Sequence, residues 1–233
     1  GTKAIVTGGS KGIGRAIAFA LGRAGYRVGV CARTPARLEQ LLQALAAEKI
    51  EAAGKPADVA DPAQVRAFVA YTTDRLGAAD VLINNAGIAI LKPFDELTLE
   101  EWDATMATNL RSLFLVTREV LPAMRAAKQG SIINVSSLAG RNGFAGGTAY
   151  CASKHAVLGF SRALMMEVRK DGVRVITICP GSVDTPLIRN QSTLTPNLEK
   201  ILHADDIAET ILGALRLPAR ATVSELDIRP SNP

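Results

Sequence analysis

Residues Ala4–Ala24, AIVTGGSKGIGRAIAFALGRA, run from a short apolar strand through a glycine-rich turn into a helix with apolar residues at helical spacing. Within it, Thr7-Gly8-Gly9-Ser10-Lys11-Gly12-Ile13-Gly14 lets backbone approach a bound group closely. The helix that follows would aim its unpaired N–H groups and positive dipole end at an anion such as a pyrophosphate. The spacing G-x-x-x-G-x-G is neither the commoner G-x-G-x-x-G nor a Walker loop, because no Gly-Lys-Ser/Thr stands at the required position. The strand–loop–helix context is what turns a glycine cluster into a nucleotide-site candidate.

Working outward, the same alternation continues. Strands are expected at Ala4–Thr7, Arg27–Cys31, Ala52–Ala57, Val81–Asn84, Ser131–Ser136, Arg174–Cys179 and Ser224–Ile228. Helices are expected at Gly12–Ala24, Pro35–Glu48, Pro62–Leu76, Leu99–Ala127, Thr148–Lys170 and Asp205–Leu215, with Asp61-Pro62 and Asp205-Asp206 as starts. Seven strands alternating with six helices predict an α/β fold with a parallel, doubly wound sheet. The 233 residues suit a single domain, 1–233, with no repeat, low-complexity tract or linker. Residues 186–204 (PLIRNQSTLTPNLEKILHA) are the least regular and form a candidate flap over a site at the strand C-termini.

At the end of the second strand, a dinucleotide fold that binds NAD places an acid for the ribose hydroxyls. Here the chain reads Val30-Cys31-Ala32-Arg33-Thr34, with no acid before Glu39. Arg33, helped by Lys11, could pair with a 2′-phosphate, which favours NADP over NAD.

Further along, Tyr150 and Lys154 stand four residues apart on a helical stretch, so they share one face, and Ser136-Ser137 precede them. A free tyrosine, with a pKa near ~10, is a poor base at neutral pH; a neighbouring ammonium is expected to favour the phenolate. A serine hydroxyl at the same spot would hold a carbonyl or alcohol oxygen. This set moves a proton on and off an oxygen.

Composition excludes several classes. Hydrophobic residues make up 48% and charged residues 21%, a globular balance. The net charge of +5 is scattered, and aromatics are only 4%, so no nucleic-acid stripe forms and no nucleic-acid partner is expected. No apolar run approaches the ~18 residues of a membrane span, so no membrane partner is expected. Cys31, Cys151 and Cys179 are isolated in apolar contexts without ligand spacing, which points to reduced thiols, a cytoplasmic location and no metal.

Together these segments resemble the short-chain dehydrogenase/reductase family, in its shorter single-domain branch with a Rossmann-type sheet. The matching residues run in order: Thr7 to Gly14, Asp58-Val59, Asn84-Asn85-Ala86-Gly87, Asn109, Ser136-Ser137, Tyr150-x-x-x-Lys154, and Pro180-Gly181 followed by Thr185. The resemblance implies catalytic roles for Asn109, Ser137, Tyr150 and Lys154. Ser137 would polarise the substrate oxygen and Tyr150 would exchange its proton. Lys154 would bind the nicotinamide ribose and lower the Tyr150 pKa, and Asn109 would hold a water leading to Lys154. It implies an NADP(H) site built from Gly8, Ser10, Lys11, Gly12, Ile13, Gly14, Arg33, Thr34, Asp58, Val59, Asn84, Ala86, Gly87, Tyr150, Lys154, Pro180, Gly181, Val183 and Thr185. The implied function is an NADP(H)-dependent oxidoreductase interconverting a small-molecule carbonyl and a secondary alcohol. The alternative is a non-catalytic dinucleotide-binding redox sensor, against which the intact Asn-Ser-Tyr-Lys set argues.

The substrate pocket is expected to be mostly apolar, with Arg141 and Arg189 as anion contacts and Leu187, Ile188, Leu194 and Leu198 covering the substrate. Surplus apolar residues on the fourth and fifth helices suggest a homodimer or homotetramer.

Overall fold

The computed structural model describes residues 1–191 and 197–231; Leu194 and Pro196 of the expected flap lie outside them. Seven strands, β1 (Lys3–Thr7), β2 (Arg27–Ala32), β3 (Ala52–Pro56), β4 (Val81–Asn84), β5 (Gly130–Val135), β6 (Val173–Pro180) and β7 (Glu225–Ile228), pair in parallel in the order β3-β2-β1-β4-β5-β6-β7. The helices are α1 (Gly12–Arg23), α2 (Pro35–Ala47), α3 (Pro62–Leu76), α4 (Leu99–Met106), α5 (Ser112–Ala127), α6 (Thr148–Val168), α7 (Pro186–Arg189) and α8 (Ala204–Leu215).

Side-chain alternation along the strands divides the core in two. Val6, Val30, Ile133 and Ile178 pack with Ile17 of α1, Leu41 of α2 and Ile211 of α8. Ile5, Leu82, Ile132 and Val175, one residue out of phase, pack with Phe68 of α3, Val116 of α5 and Leu164 of α6. Both faces are therefore covered, as the near-continuous apolar runs of β4 and β6 require. Because β1 lies between β2 and β4, the chain winds outward in opposite directions from that pair. A crevice opens beyond the carboxyl ends of β1 and β4, which is where such sheets bind ligands.

Local chemistry explains the helix starts. Asp61 accepts from the backbone N–H groups of Ala63 and Gln64 at 2.8 and 3.1 Å and caps α3. Thr98 and Glu101 form a capping box on α4.

One long element differs from expectation. The helix expected over Leu99–Ala127 is divided into α4 and α5 by a π-helical turn, Ala107–Arg111. The extra residue in that turn accompanies Asn109, which is fully buried and reaches across to the loop after β4. The flap also holds more structure than expected, since α7 forms at its start with Pro186 in the first turn.

Candidate active site

The glycine turn sits at the carboxyl end of β1 against the loop after β4. Gly8 has φ +67°, and a Cβ there would come within 2.9 Å of the Ala86 Cα, so only glycine allows the two loops to touch. Thr7 links the same loops, its hydroxyl accepting from the Asn85 and Ala86 N–H groups at 3.0 and 3.1 Å. The first turn of α1 carries no acid, so its positive end is left uncompensated.

One cleft runs from this turn along the sheet edge. At one end stand Lys11, Arg33, Thr34 and Arg37, with Asp58 and Val59 beside them; Asp58 is the sole acid among the described lining residues. Arg37 was not singled out from sequence. Its spacing of four from Arg33, across the start of α2, was the available signal. The cleft continues over Ala86, Gly87 and Ile88 to Ser137, Tyr150 and Lys154, and closes with Pro180, Gly181, Val183, Thr185, Leu187 and Ile188.

Two of the expected contacts, Asn84 and Gly14, are not among the cleft's lining residues. Asn84 does not line the cleft. It is the last residue of β4, buried at 2% exposure, and its amide donates to Asn134 Oδ1 and Thr117 Oγ1 at 2.9 and 3.2 Å. Its neighbour Asn85 takes the cleft position, because alternation turns consecutive side chains to opposite sides. Gly14 also lies behind the lining. A side chain there would collide with the Gly8 carbonyl and the Asn85 amide, so this glycine serves the packing of α1 on the turn.

At the other end, Ser137 opens a 3-10 turn, Leu138–Gly140. Its hydroxyl accepts from the Ala139 N–H at 3.1 Å and donates to the Pro180 carbonyl at 3.4 Å. Ser136 also borders the cleft, and its hydroxyl donates to the Lys154 carbonyl at 2.9 Å. Lys154 is 5% exposed; its ammonium donates to the Val135 carbonyl at 3.0 Å and lies 5.8 Å from the Tyr150 ring centre. Gly87 lies beside it, where a Cβ would sit 3.6 Å from Nζ, an ordinary contact.

Asn109 stands one layer back. Its Oδ1 accepts from the Ile88 N–H at 2.8 Å, and its Nδ2 donates to the Ile88 carbonyl at 2.8 Å and the Ser153 hydroxyl at 3.0 Å. Both amide hydrogens are engaged by protein, so the side chain braces the cleft floor against α6.

The electrostatics also differ from expectation. Burial pushes the Tyr150 phenol above its usual value, with the Ser137 hydroxyl working in the opposite direction. Burial equally pulls the Lys154 ammonium down to about 8. Desolvation is the leading cause for both groups, and the Lys154 Nζ points to the Val135 carbonyl. The thiols of Cys31 and Cys179 are pushed up by burial to about 12 and about 11, so both stay protonated and unreactive at neutral pH.

A buried ammonium has a consequence for stability. The Lys154 pKa falls from 10.5 unfolded to about 8 folded. Between those values the unfolded chain holds more protons, so this group's contribution to stability improves as pH rises. Below 8 its full cost, roughly 3 kcal/mol, is present. Lys154→Met, which keeps length and removes charge, is expected to raise the urea midpoint at pH 7 and to lose that advantage towards pH 10. A lower midpoint for the variant at pH 7 would contradict this.

Arg141 and Arg189, expected as anion contacts, are both engaged elsewhere. Arg141 pairs with Asp227 at 3.0 Å and with Glu225, and Arg189 grips Asp184 through two nitrogens. At the flap, the Gln191 amide donates to the Ala89 carbonyl at 2.9 Å, joining the segment after α7 to the opposite wall of the cleft.

Comparison with known proteins agrees with this architecture. The model of the family described as short chain dehydrogenase matches residues 2–195. A Streptomyces violaceoruber protein, named as a putative ketoacyl reductase of the granaticin polyketide synthase, is 45% identical over 186 residues, covering 79% of this chain and 68% of that one. A single-substitution variant of actinorhodin polyketide ketoreductase, solved with NADPH, superposes with a TM-score of 0.91 at 34% identity, covering 98% of this chain and 96% of that one. A metagenomic short-chain oxidoreductase in complex with NADP gives 0.86 at 36% identity, covering 99% and 97%. With the glycine turn, the doubly wound parallel sheet and the Ser137–Tyr150–Lys154 end of the cleft all on one chain, this protein belongs to the short chain dehydrogenase family.

Proposed function

We propose that this protein is an NADP(H)-dependent oxidoreductase that interconverts a carbonyl and a secondary alcohol, with Tyr150 as the acid and base. The observation that carries the reading is the polarity of the cleft. Lys11, Arg33 and Arg37 gather at one end, and a phenol, a hydroxyl and an ammonium gather at the other. The residues fit a phosphorylated dinucleotide: an open helix N-terminus for its pyrophosphate, cations for its 2′-phosphate, and Lys154 for the inner ribose. Two solved relatives similar to this chain carry NADP or NADPH in their structures.

When bound, the cofactor supplies or accepts the hydride. The chain's own residues handle the proton. Ser137 donates a hydrogen bond to the substrate oxygen and holds it beside the phenol. Tyr150, protonated at neutral pH because burial raises its pKa, gives its proton to that oxygen in reduction. The ammonium of Lys154 then sits near the resulting phenolate and steadies it. Leu187 and Ile188 line the cleft above and exclude water.

NADPH consumption in the presence of a panel of ketones and aldehydes, followed by absorbance, tests the function. Turnover with at least one carbonyl is expected, and no consumption with any of them would favour the sensor reading.

Self-association belongs to the same proposal. Phe114 on α5 and Met166 on α6 are 49% and 56% exposed, more than helices covering a sheet require. A dimeric or tetrameric mass by light scattering at micromolar concentration is expected; a monomeric mass would rule it out.

A further inference from the structure

We infer that the substrate is an uncharged, apolar carbonyl compound, and that the cleft discriminates against carbonyls carrying a carboxylate. This inference rests on the reductase reading above. Three segments frame the substrate end: residues 85–98, 136–148 and 181–191. Each contains one cationic residue, respectively Lys92, Arg141 and Arg189. Every one of them is held by a carboxylate. Lys92 pairs with Glu101 at 2.6 Å, Arg141 with Asp227 at 3.0 Å and with Glu225, and Arg189 with both oxygens of Asp184.

Lys154, the cation beside Tyr150, is 5% exposed and donates to the Val135 carbonyl. A carboxylate entering between these segments would lose water without gaining a free partner among these four cations, which is costly. Asp95 and Glu96, both exposed on the first framing segment, add negative charge there.

The surfaces left for contact are apolar. Ile88, Leu187 and Ile188 line the cleft. At the rim, the Lys92 N–H donates to the Gly146 carbonyl at 2.9 Å and draws two loops together. Phe94 and Phe144, each two residues from that bond, are 73% and 43% exposed. Exposed aromatics beside an apolar cleft suit a substrate whose hydrocarbon part extends outward.

A matched pair decides the matter: ethyl 3-oxohexanoate and 3-oxohexanoate, which share the keto group and differ in the charge of the carboxyl end. With saturating NADPH at pH 7, kcat/KM for the ester is expected to exceed that for the acid by at least about tenfold. Equal values, or a preference for the acid, would overturn the inference and leave the reductase reading intact. If neither compound is reduced, calorimetric titration of both into the protein–NADP+ complex separates the two ideas. Tighter binding of the ester would support an apolar, uncharged site independently of turnover. Equal or tighter binding of the acid, or no binding of the ester, would overturn it.

Discussion

Tyr150→Phe should leave the fold and NADPH binding unchanged and lower kcat by about a hundred- to ten-thousandfold, the range a positioned general acid contributes. The substitution removes one oxygen and keeps the ring, so the 5.8 Å approach of Lys154 and the packing of α6 remain. The pH dependence carries a second sign. Because burial holds the phenol above its usual value, the acid form persists through neutral pH. Carbonyl reduction by the wild type should therefore be flat near pH 7, and alcohol oxidation should rise as pH increases. The sequence alone suggested a phenol depressed by its lysine; the structure places desolvation first. Wild-type kinetics from pH 6 to 10 in both directions check this, and oxidation that falls with rising pH would contradict it.

The second large effect concerns the cofactor's phosphate end. Arg33→Ala should weaken NADPH binding by roughly ten- to a hundredfold, since a charge-assisted contact contributes about 1.5–3 kcal/mol. NADH binding should change little, because no 2′-phosphate is present to lose its partner. Arg37 lines the same end of the cleft, so the double variant should lose more than either single one. Titration by fluorescence with both cofactors measures the effect. A wild type that binds NADH better than NADPH would refute the assignment.

Much of this was legible in the sequence for identifiable reasons. The strand–turn–helix over Ala4–Ala24 has local causes, apolar spacing and glycine permissiveness, and local causes can be read from a line of text. Tyr150 and Lys154 share a helix, so their proximity follows from a period of 3.6. What escaped were features determined at long range. The π turn at Ala107–Arg111 interrupts a sequence with unbroken helical character, and its counterpart is the loop carrying Ile88, 21 residues away. The partners of Arg141 lie on β7, with Asp227 86 residues distant, so its loss as an anion contact could not be seen locally. The exchange of Asn84 for Asn85 turned on a single step of strand alternation at the end of β4.

The central claim is that this cleft delivers a hydride from NADPH to a carbonyl carbon. The most direct measurement is the reduction of a carbonyl substrate with NADPH deuterated at C4 on the transferred face, followed by mass spectrometry of the alcohol. The account predicts a product one mass unit heavier, with the deuterium on the carbinol carbon and none exchanged from solvent D2O at that position. An alcohol that carries no deuterium from NADPH would contradict it.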